Sequence, residues 1–440
     1  MKLFRINKML LFLMFLSWQS MFSQDSIPLS LNSAVQLALD KNTNIVTANY
    51  QVNTAKFALK EAKGNFLPKL YFNTSYNRNI DRQVIFFSEG FGETNTATKL
   101  GSDNEFRSSL NLSLPIYSTY NFANRKLAET QFNFQNEAAR GVRHTILNAT
   151  KKAYYNYLIV QEVVKVQESS LKNANEFLAD IEKRLKIGTL TEFDVSSAKV
   201  QVAIAKSNLL EAQSNLIPTG NELKLLLGLN PEAIIKLTEH IALRNDEIIV
   251  EAETEQLLKK NSQLKQLELA VGINENRIQM AKSAYYPTLD AIGNYNYQAQ
   301  ANNFKFSEYD WAQTSLVGLQ LQFPIFNGTV TKNKVQQVAL DKKISEEEKE
   351  YATKETQLKL IELISQLEFS RLKVEVQLEN MDLTDEAQKL AKKRYGLGVG
   401  TILEVNDSEL AYTQSRLNWL QALLNYKSAY YDYQLLIGKD

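Results

Sequence analysis

Residues 184–195 read RLKIGTLTEFDV, and residues 394–405 read RYGLGVGTILEV. The two stretches carry an arginine, a glycine, a threonine, an acid and a valine at matching positions. Further segments also recur: residues 225–228 (LLLG) return as 435–438 (LLIG), and residues 65–70 (NFLPKL) return as 284–289 (AYYPTL). Self-similarity on this scale predicts an internally duplicated fold.

Heptad repeats fill most of the sequence between these landmarks. After the first motif, small and large residues form two columns, Ala198, Ala205 and Ala212 beside Val202, Leu209, Leu216 and Leu223. A strict heptad repeat predicts long helices that pack side by side with a left-handed twist. In the second half, the column Leu360, Leu367, Val374 and Met381 loses its register at Gln388. Prolines are absent from residues 116–217 and from all residues after Pro324, which also favours long helices.

The N-terminus has the parts of a secretory signal peptide. Lys2, Arg5 and Lys8 precede an apolar core over residues 9–16, and small residues follow. Because the core is too short to span a membrane as a helix, we expect residues 1–23 to be a signal peptide. The chain has no cysteine, which excludes disulfides, thiolate metal sites and a lipid anchor on an N-terminal cysteine. A formal net charge of +1 gives no electrostatic reason to expect nucleic acid as a partner.

Four segments have the apolar–polar alternation of β-strands, namely residues 68–82, 105–117, 287–301 and 309–326. Each exceeds the roughly 9–11 residues that a tilted membrane strand needs. Four strands cannot close a barrel in lipid, where about eight is the minimum and every edge must be paired. A membrane-inserted sheet therefore requires several copies of the chain. Two copies would give eight strands and three would give twelve, and the strand pattern allows both.

The sequence carries no motif for catalysis. It lacks a nucleophile elbow, a phosphate-binding loop, a dinucleotide fingerprint and a zinc-protease motif. Its acids are spread over amphipathic helices, as on a solvated surface. His144 and His240 are the only histidines and lie far apart, so a metal site is not expected. We therefore expect no enzyme, no cofactor and no metal.

The order of these features resembles the outer membrane efflux (TolC) family. A signal peptide, a helix, a strand pair and a long helical hairpin are followed by the same elements again, and the resemblance covers essentially the whole mature chain. It implies a mainly α fold with membrane β-structure: a trimeric, twelve-stranded outer-membrane β-barrel, four strands per protomer, that continues into a long periplasmic coiled-coil α-barrel. The predicted divisions are the signal peptide (1–23), a first repeat (24–229), an equatorial linker region (230–253) and a second repeat (254–440).

The resemblance also implies a function. Family members conduct substrates passively across the outer membrane, as part of a tripartite efflux system or a type I secretion system. The implied partners are further copies of the chain in a homotrimer, a periplasmic adaptor (membrane-fusion) protein, an inner-membrane pump of the RND, ABC or MFS type, and outer-membrane lipid. The alternative is a soluble periplasmic coiled-coil scaffold or adaptor protein, whose strands would form a small sheet.

Position by position, the resemblance places a periplasmic gate at the tips of the helical hairpins. The aperture tyrosine falls on Tyr395 and the aperture acids on Asp194, Glu404 and Asp407, held by hydrogen bonds and ion pairs. The basic partner of the family falls on Gly400, which has no charge. A plainer interpretation is that the acids cap the helices that follow the turns.

Two further sets of residues are expected, one that forms the hairpin-tip turns and one that lies at the membrane interface. The hairpin-tip turns and the surface for the adaptor are assigned to Arg184, Gly188, Thr189, Arg394, Gly398, Val399 and Gly400. Gly188 and Gly398 supply the backbone conformation that turns the chain. An aromatic girdle at the membrane interface would contain Tyr295, Tyr309 and Trp311. Ordinary packing of a sheet would also account for these three rings.

Overall fold

The computed structural model describes residues 27–86, 97–239, 241 and 260–439. The predicted signal peptide and the later part of the predicted linker region lie outside these residues. The helices are α1 (Leu31–Lys41), α2 (Thr43–Gly64), α3 (Thr119–Lys186), α4 (Glu192–Leu226), α5 (Ser262–Lys282), α6 (Val330–Gly396) and α7 (Ile402–Leu436). The strands are β1 (Ile27–Leu29), β2 (Lys69–Arg78), β3 (Val84–Phe86), β4 (Ala97–Lys99), β5 (Asn104–Ser118), β6 (Ile235–Leu237), β7 (Thr288–Ala301) and β8 (Ala312–Gln322). The chain is mainly α-helical, as the heptads predict.

Two of the helices are far longer than those of ordinary compact domains. α3 has 68 residues and α6 has 67, and neither contains a proline. At 1.5 Å per residue, each corresponds to about 100 Å of helix. Among the described residues, none of the helices has a segment long and apolar enough to cross a membrane.

The chain forms two compact units, and neither unit is continuous in sequence. Among the described residues, one contains those within 51–136 and 266–350, and the other contains those within 27–50, 137–265 and 351–439. Both long helices, α3 and α6, contribute residues to both units.

The unit of residues 51–136 and 266–350 holds a four-stranded antiparallel sheet in the order β2–β5–β7–β8. A long ladder between β5 and β7 joins the two predicted strand pairs. β2 and β8 therefore lie at the two sides, and within the described residues each is paired along one side only. The described part of a single chain thus has a sheet with two unpaired edges.

The first strand ends earlier than the sequence pattern predicts. The alternation over residues 68–82 continues as a strand only to Arg78. Beyond it the chain turns, because the Asn79 amide donates to the carbonyl of Asp103 (2.8 Å) and Arg82 pairs with the carboxylate of Asp103 (3.1 Å). The short ribbon of β3 and β4 follows this turn.

The register of the four strands gives the sheet one apolar face and one polar face. Side chains opposite each other in paired strands share a face, and consecutive residues along a strand alternate between the faces. The apolar face carries Leu70, Phe72, Leu110, Leu112, Leu114, Val317, Leu319 and Leu321. The other face is mainly polar and carries Asn73, Ser109, Asn111, Ser113, Asn294, Asn296, Thr314 and Gln320, together with the apolar or aromatic residues Tyr71, Ile292 and Leu316. Val317 is 89% exposed, so the apolar face of a single chain is uncovered.

In the other unit, four helices pack side by side in the order α4–α3–α7–α6. The clusters that set this order join Ile181 to Val195 (α3 with α4), Val166 to Trp419 (α3 with α7) and Leu367 to Tyr426 (α6 with α7). Because α3 and α7 occupy the two central positions, α4 and α6 lie at the two sides of the row.

The small residues of the heptads explain how closely these helices approach. The buried small residues are Ala198, Ala205 and Ala212 along α4, and Ser415, Ala422 and Ala429 along α7. A small side chain leaves a hole that a larger side chain of the neighbouring helix can fill. The heptad columns of small residues in α4 and α7 are therefore buried where these helices pack against their neighbours.

In both halves of the chain, a glycine that follows the second helix of the hairpin lies close to the backbone of another segment. Gly228, after α4, and Gly438, after α7, have positive φ angles of 63° and 65°. A Cβ at Gly228 would lie 2.6 Å from the carbonyl oxygen of Lys41, and a Cβ at Gly438 would lie 2.4 Å from that of Lys260. Only glycine fits both the backbone conformation and the space. The same close contact therefore recurs in the two halves of the chain.

Gly438→Ala is expected to destabilise the protein by about 2–5 kcal/mol, since left-handed strain costs about 1–2 kcal/mol and overpacking about 1–3 kcal/mol more. Gly398→Ala tests strain alone, because Gly398 has a φ of 77° but no described atom within 4 Å of its Cβ position. Gly64→Ala is the control, with neither constraint. Thermal unfolding followed by circular dichroism should give the lowest Tm for Gly438→Ala. Equal Tm values for Gly438→Ala and Gly398→Ala would contradict the close contact.

Candidate functional site at the hairpin tips

The two hairpin turns have the same backbone geometry. Gly188 and Gly398 have φ angles of 76° and 77°. The amide of the residue after each glycine donates to the carbonyl of Arg184 (3.0 Å) or Arg394 (3.1 Å). A left-handed glycine with this hydrogen bond ends a helix and reverses the chain. The structure thus places the predicted tip residues in two tight, similar turns.

The predicted gate acids Asp194 and Glu404 cap the helices that follow the turns. The Thr191 amide donates to the Asp194 carboxylate (2.8 Å), and the Asp194 amide donates to the Thr191 hydroxyl (3.4 Å). The Thr401 amide donates to the Glu404 carboxylate (3.4 Å), and the Glu404 amide donates to the Thr401 hydroxyl (3.1 Å). Both are capping boxes, in which each residue satisfies a free amide of the other.

The first capping box changes the titration of its acid. Hydrogen bonds from the backbone and the side chain of Thr191 hold the pKa of Asp194 below its ordinary value. An acid with a lowered folded-state pKa stabilises the fold above its ordinary pKa, and that contribution is lost as the pH falls through the folded-state pKa. The cap of α4 is therefore sensitive to acid.

Tyr395 joins the two hairpins through its ring. The residue is 8% exposed, the Arg184 guanidinium lies 4.6 Å from the ring centroid, and the Phe177 ring meets it edge-on at 5.3 Å. Arg184 is itself held by a hydrogen bond to Asp180 (2.9 Å). Within the described residues the Tyr395 hydroxyl has no hydrogen-bond partner, and burial raises its pKa. Ring contacts hold this tyrosine, whereas the resemblance implies hydrogen bonds and ion pairs.

The remaining predicted gate and hairpin-tip residues are more exposed than Tyr395. Arg394 lies 3.7 Å from Glu404 in a solvent-exposed ion pair, which contributes little on its own. Asp407 is exposed and makes no hydrogen bond or ion pair in the part of the chain that the structure describes. A Cβ at Gly400 would lie 2.9 Å from the amide nitrogen of Tyr395. The basic side chain that the resemblance implies at this position would therefore displace the turn.

The predicted membrane-interface aromatics cluster at the loop end of the sheet. Trp311 stacks on Tyr297 with 4.7 Å between ring centroids and lies 6.4 Å from Tyr309. β8 begins at Ala312, later than the predicted start of the strand, because Tyr309 and Trp311 pack into this cluster. Tyr295 lies further along β7 on the same, apolar face. Other rings of the cluster are Tyr76, Phe106, Phe304 and Phe306.

The histidines give no sign of a metal centre. His144 is buried beside Arg140, with 3.5 Å between Nε2 and Nη1. His240 lies outside the described residues. Over the described ranges, no group of three or more His, Cys, Asp or Glu side chains is placed to hold a metal ion.

Comparison with known families identifies the chain. The sequence profile described as outer membrane efflux protein matches residues 34–229 and 254–439. These two segments make up most of the chain. The chain belongs to the outer membrane efflux protein family.

Individual members of the outer membrane efflux protein family are distant but cover most of the chain. Outer membrane protein TolC of Escherichia coli (strain K12) is 23% identical over 390 residues, which are 84% of this chain and 76% of that protein. The proteases secretion protein PrtF of Dickeya chrysanthemi is 20% identical over 414 residues, which are 90% of this chain and 87% of that protein. The solved structure of the Campylobacter jejuni CmeC outer membrane channel aligns with a TM-score of 0.77 at 16% identity, over 93% of this chain and 85% of that one. The chain therefore has the fold of the outer membrane efflux proteins.

Phe177 is a tip residue that sequence reasoning missed. It lies two helical turns before Arg184, so both side chains project from the same side of α3. That spacing is the signal that could have found it. Its contact with Tyr395 could not be inferred, because the two residues lie in different halves of the sequence.

Tyr395→Phe is expected to change stability by no more than about 0.5 kcal/mol, because the hydroxyl that it removes has no partner. Tyr395→Ala removes the buried ring and its contact with Arg184, at an expected cost of about 3–5 kcal/mol. Hydrogen–deuterium exchange of amides 394–405 should accelerate only in Tyr395→Ala. Tyr351→Ala, at an exposed tyrosine of α6, is the matched control. Fast exchange in Tyr395→Phe would show that the hydroxyl does hold the tip.

Proposed function

We propose that this chain is the outer-membrane channel of a tripartite efflux or type I secretion system. Three copies form a channel-tunnel that passively conducts substrates, which an inner-membrane pump of the RND, ABC or MFS type delivers through a periplasmic adaptor. The predicted signal peptide exports the chain, and the repeats 24–229 and 254–440 build each protomer around the linker region 230–253. The observation that carries this proposal is the open sheet with one apolar and one polar face.

In lipid, only further copies of the chain can complete this sheet. The free edges of β2 and β8 expose backbone amides and carbonyls, and each unsatisfied group costs several kcal/mol in the bilayer core. The apolar face suits lipid. The polar face, where Asn294 donates to Asn111 (2.6 Å), suits an aqueous lumen.

The strand order allows the barrel to close. The four strands alternate in direction, so β8 of one copy is antiparallel to β2 of the next. Pairing these two edges around a ring leaves no edge unsatisfied. Three copies, the number that the family resemblance implies, give twelve strands.

The helices at the two sides of the row, α4 and α6, favour the same closure. Exposed apolar residues with heptad spacing are Phe193 and Val200, then Leu210 and Ile217, along α4, and Phe369, Val376, Leu383 and Leu390 along α6. These stripes face away from the central helices α3 and α7. Packing α4 of one copy against α6 of the next would bury both stripes. Each copy would then supply four helices to the tunnel.

The hairpin tips fit a protein partner. The exposed apolar residues at the turns are Ile187, Leu397, Val399 and Leu403. Apolar groups gathered at an exposed site favour contact with another protein. The periplasmic adaptor is the partner that the family resemblance implies, and Thr189 and Val399 lie in the turns that it would meet.

The gate is proposed at the same tips. Tyr395 ties the second hairpin to the first, so an opening movement must separate its ring from Arg184 and Phe177. Asp194, Glu404 and Asp407 would place negative charge near the mouth in every copy. Acids that line a pore mouth favour cations over anions.

Glu404→Ala combined with Asp407→Ala is expected to enlarge the conductance and lower the cation preference in planar bilayers. The variant loses two carboxylates per copy and the hydrogen bond from the Thr401 amide to Glu404, whereas Thr401 still caps α7. Glu404→Gln with Asp407→Asn removes the same charges but keeps the capping box, since glutamine also completes it. This second variant should lower the cation preference with a smaller effect on conductance. Conductance and the reversal potential in a salt gradient measure the two effects.

Glu347→Ala with Glu348→Ala is the matched control, because both acids are exposed on α6 far from the tip. It should behave like the wild-type protein. Unchanged conductance and selectivity in Glu404→Ala with Asp407→Ala would overturn the gate. A wild-type protein that forms no ion-conducting pore would overturn the channel function itself.

A further inference from the structure

Glu409 lies in α7, beyond the capping box at the second turn, and contacts two other helices. Asn173 of α3 donates from Nδ2 to its Oε1 (2.8 Å). Lys392 of α6 lies 2.7 Å from its Oε2, and Gln388 of α6 donates from Nε2 to the same oxygen. The Glu409 side chain is only 19% exposed. One carboxylate therefore links α3, α6 and α7.

A polar residue in the heptad column of α6, Gln388, faces this carboxylate. The large residues Leu360 and Leu367 of α6 are buried in the seam with α7, and the same heptad column later reaches Gln388. Gln388 is 5% exposed, and a buried amide requires a hydrogen-bond partner. Glu409 is that partner. The loss of register at Gln388 thus replaces an apolar contact by a polar one at the level of Glu409.

The contact between Glu409 and Asn173 lies where it can hold the second hairpin against the first. The apolar cluster of Val166, Trp419 and Leu420 holds α3 against α7 on the side away from the tips. Closer to the tips, the described side-chain hydrogen bonds and ring contacts that connect the first hairpin to the second are those of Glu409 and Tyr395. Glu409 lies between the fixed cluster and the turns.

We propose that Glu409 is a positioning residue of the gate, which holds the end of the second hairpin against α3 in the closed state. This inference rests on the proposed channel function. Both carboxylate oxygens accept hydrogen bonds in the closed arrangement. Glutamine in its place has one acceptor oxygen and no charge, so it cannot satisfy Asn173, Gln388 and Lys392 together. Loss of the carboxylate removes the bond with Asn173, which joins the two hairpins in the closed state, whereas Gln388 and Lys392 belong to the same hairpin as Glu409.

Glu409→Gln is expected to raise the ratio of open to closed channels by about tenfold in single-channel recordings, which corresponds to about 1.4 kcal/mol. Asp385→Asn is the matched control, because Asp385 pairs with Lys389 (2.5 Å) within α6. Both variants should keep the Tm of the wild-type protein to within a few degrees. A role in folding alone would lower the Tm of Glu409→Gln without changing the ratio of open to closed channels.

A second variant tests the contact between the two hairpins without using the Glu409 carboxylate. The chain has no cysteine, so Asn173→Cys with Glu409→Cys provides one reactive pair across the two hairpins. This variant should open more often than wild type, and a short bifunctional thiol reagent should return it to the closed level. Asp385→Cys with Lys389→Cys, bridged within α6, should show no such response.

The outcomes separate this inference from the proposed function. If Glu409→Gln gates like Asp385→Asn while Glu404→Gln with Asp407→Asn still changes selectivity, the channel stands and the role of Glu409 is wrong. If the thiol bridge between positions 173 and 409 leaves the ratio of open to closed channels unchanged, the proposed role of Glu409 is also wrong. If the wild-type protein conducts no ions, the proposed function fails and this inference fails with it.

Discussion

The backbone amides and carbonyls at the two edges of the four-stranded sheet need hydrogen-bond partners, and this need determines how the chain can assemble. The chain places β2 and β8 at the sides of a sheet whose apolar face is uncovered. In water such a sheet invites aggregation, and in lipid its edges are intolerable unless another strand pairs with them. Closure by further copies removes both difficulties at once. The exposed heptad stripes of α4 and α6 fit the same solution, because a ring of copies would bury them as well.

The helical hairpins are held by two kinds of contact. Near their middle, apolar clusters and small heptad residues bring α3, α4, α6 and α7 together. Towards the tips, aromatic and polar contacts also join the hairpins: Tyr395 is held between Phe177 and Arg184, and Glu409 binds Asn173. Ile402 of the second hairpin packs against the apolar cluster of Ile181 and Val195. Solvent-exposed ends open at lower free energy than the core, so we expect the distal ends to rearrange before the packed middle does.

Periodicity made most of the fold predictable, because residues that recur every seven or every two positions identify helices and strands directly. Contacts between distant residues could not be predicted. Tyr395 packs on Phe177 across the two halves of the sequence, and nothing near Gln388 indicates that Glu409 is its partner. The predicted ends of the first and fourth strands lie beyond those of β2 and β8, since loop contacts override alternation there. At Gly400 the family pattern implies a charge, whereas the neighbouring backbone leaves no room for a side chain.

We propose that one chain supplies only part of a closed conduit. Cryo-electron microscopy of the mature protein, extracted from outer membranes in mild detergent, should then show three copies around an open lumen, with β8 of each copy paired to β2 of the next. A fully ordered single chain with both strand edges unpaired and no lumen would contradict it.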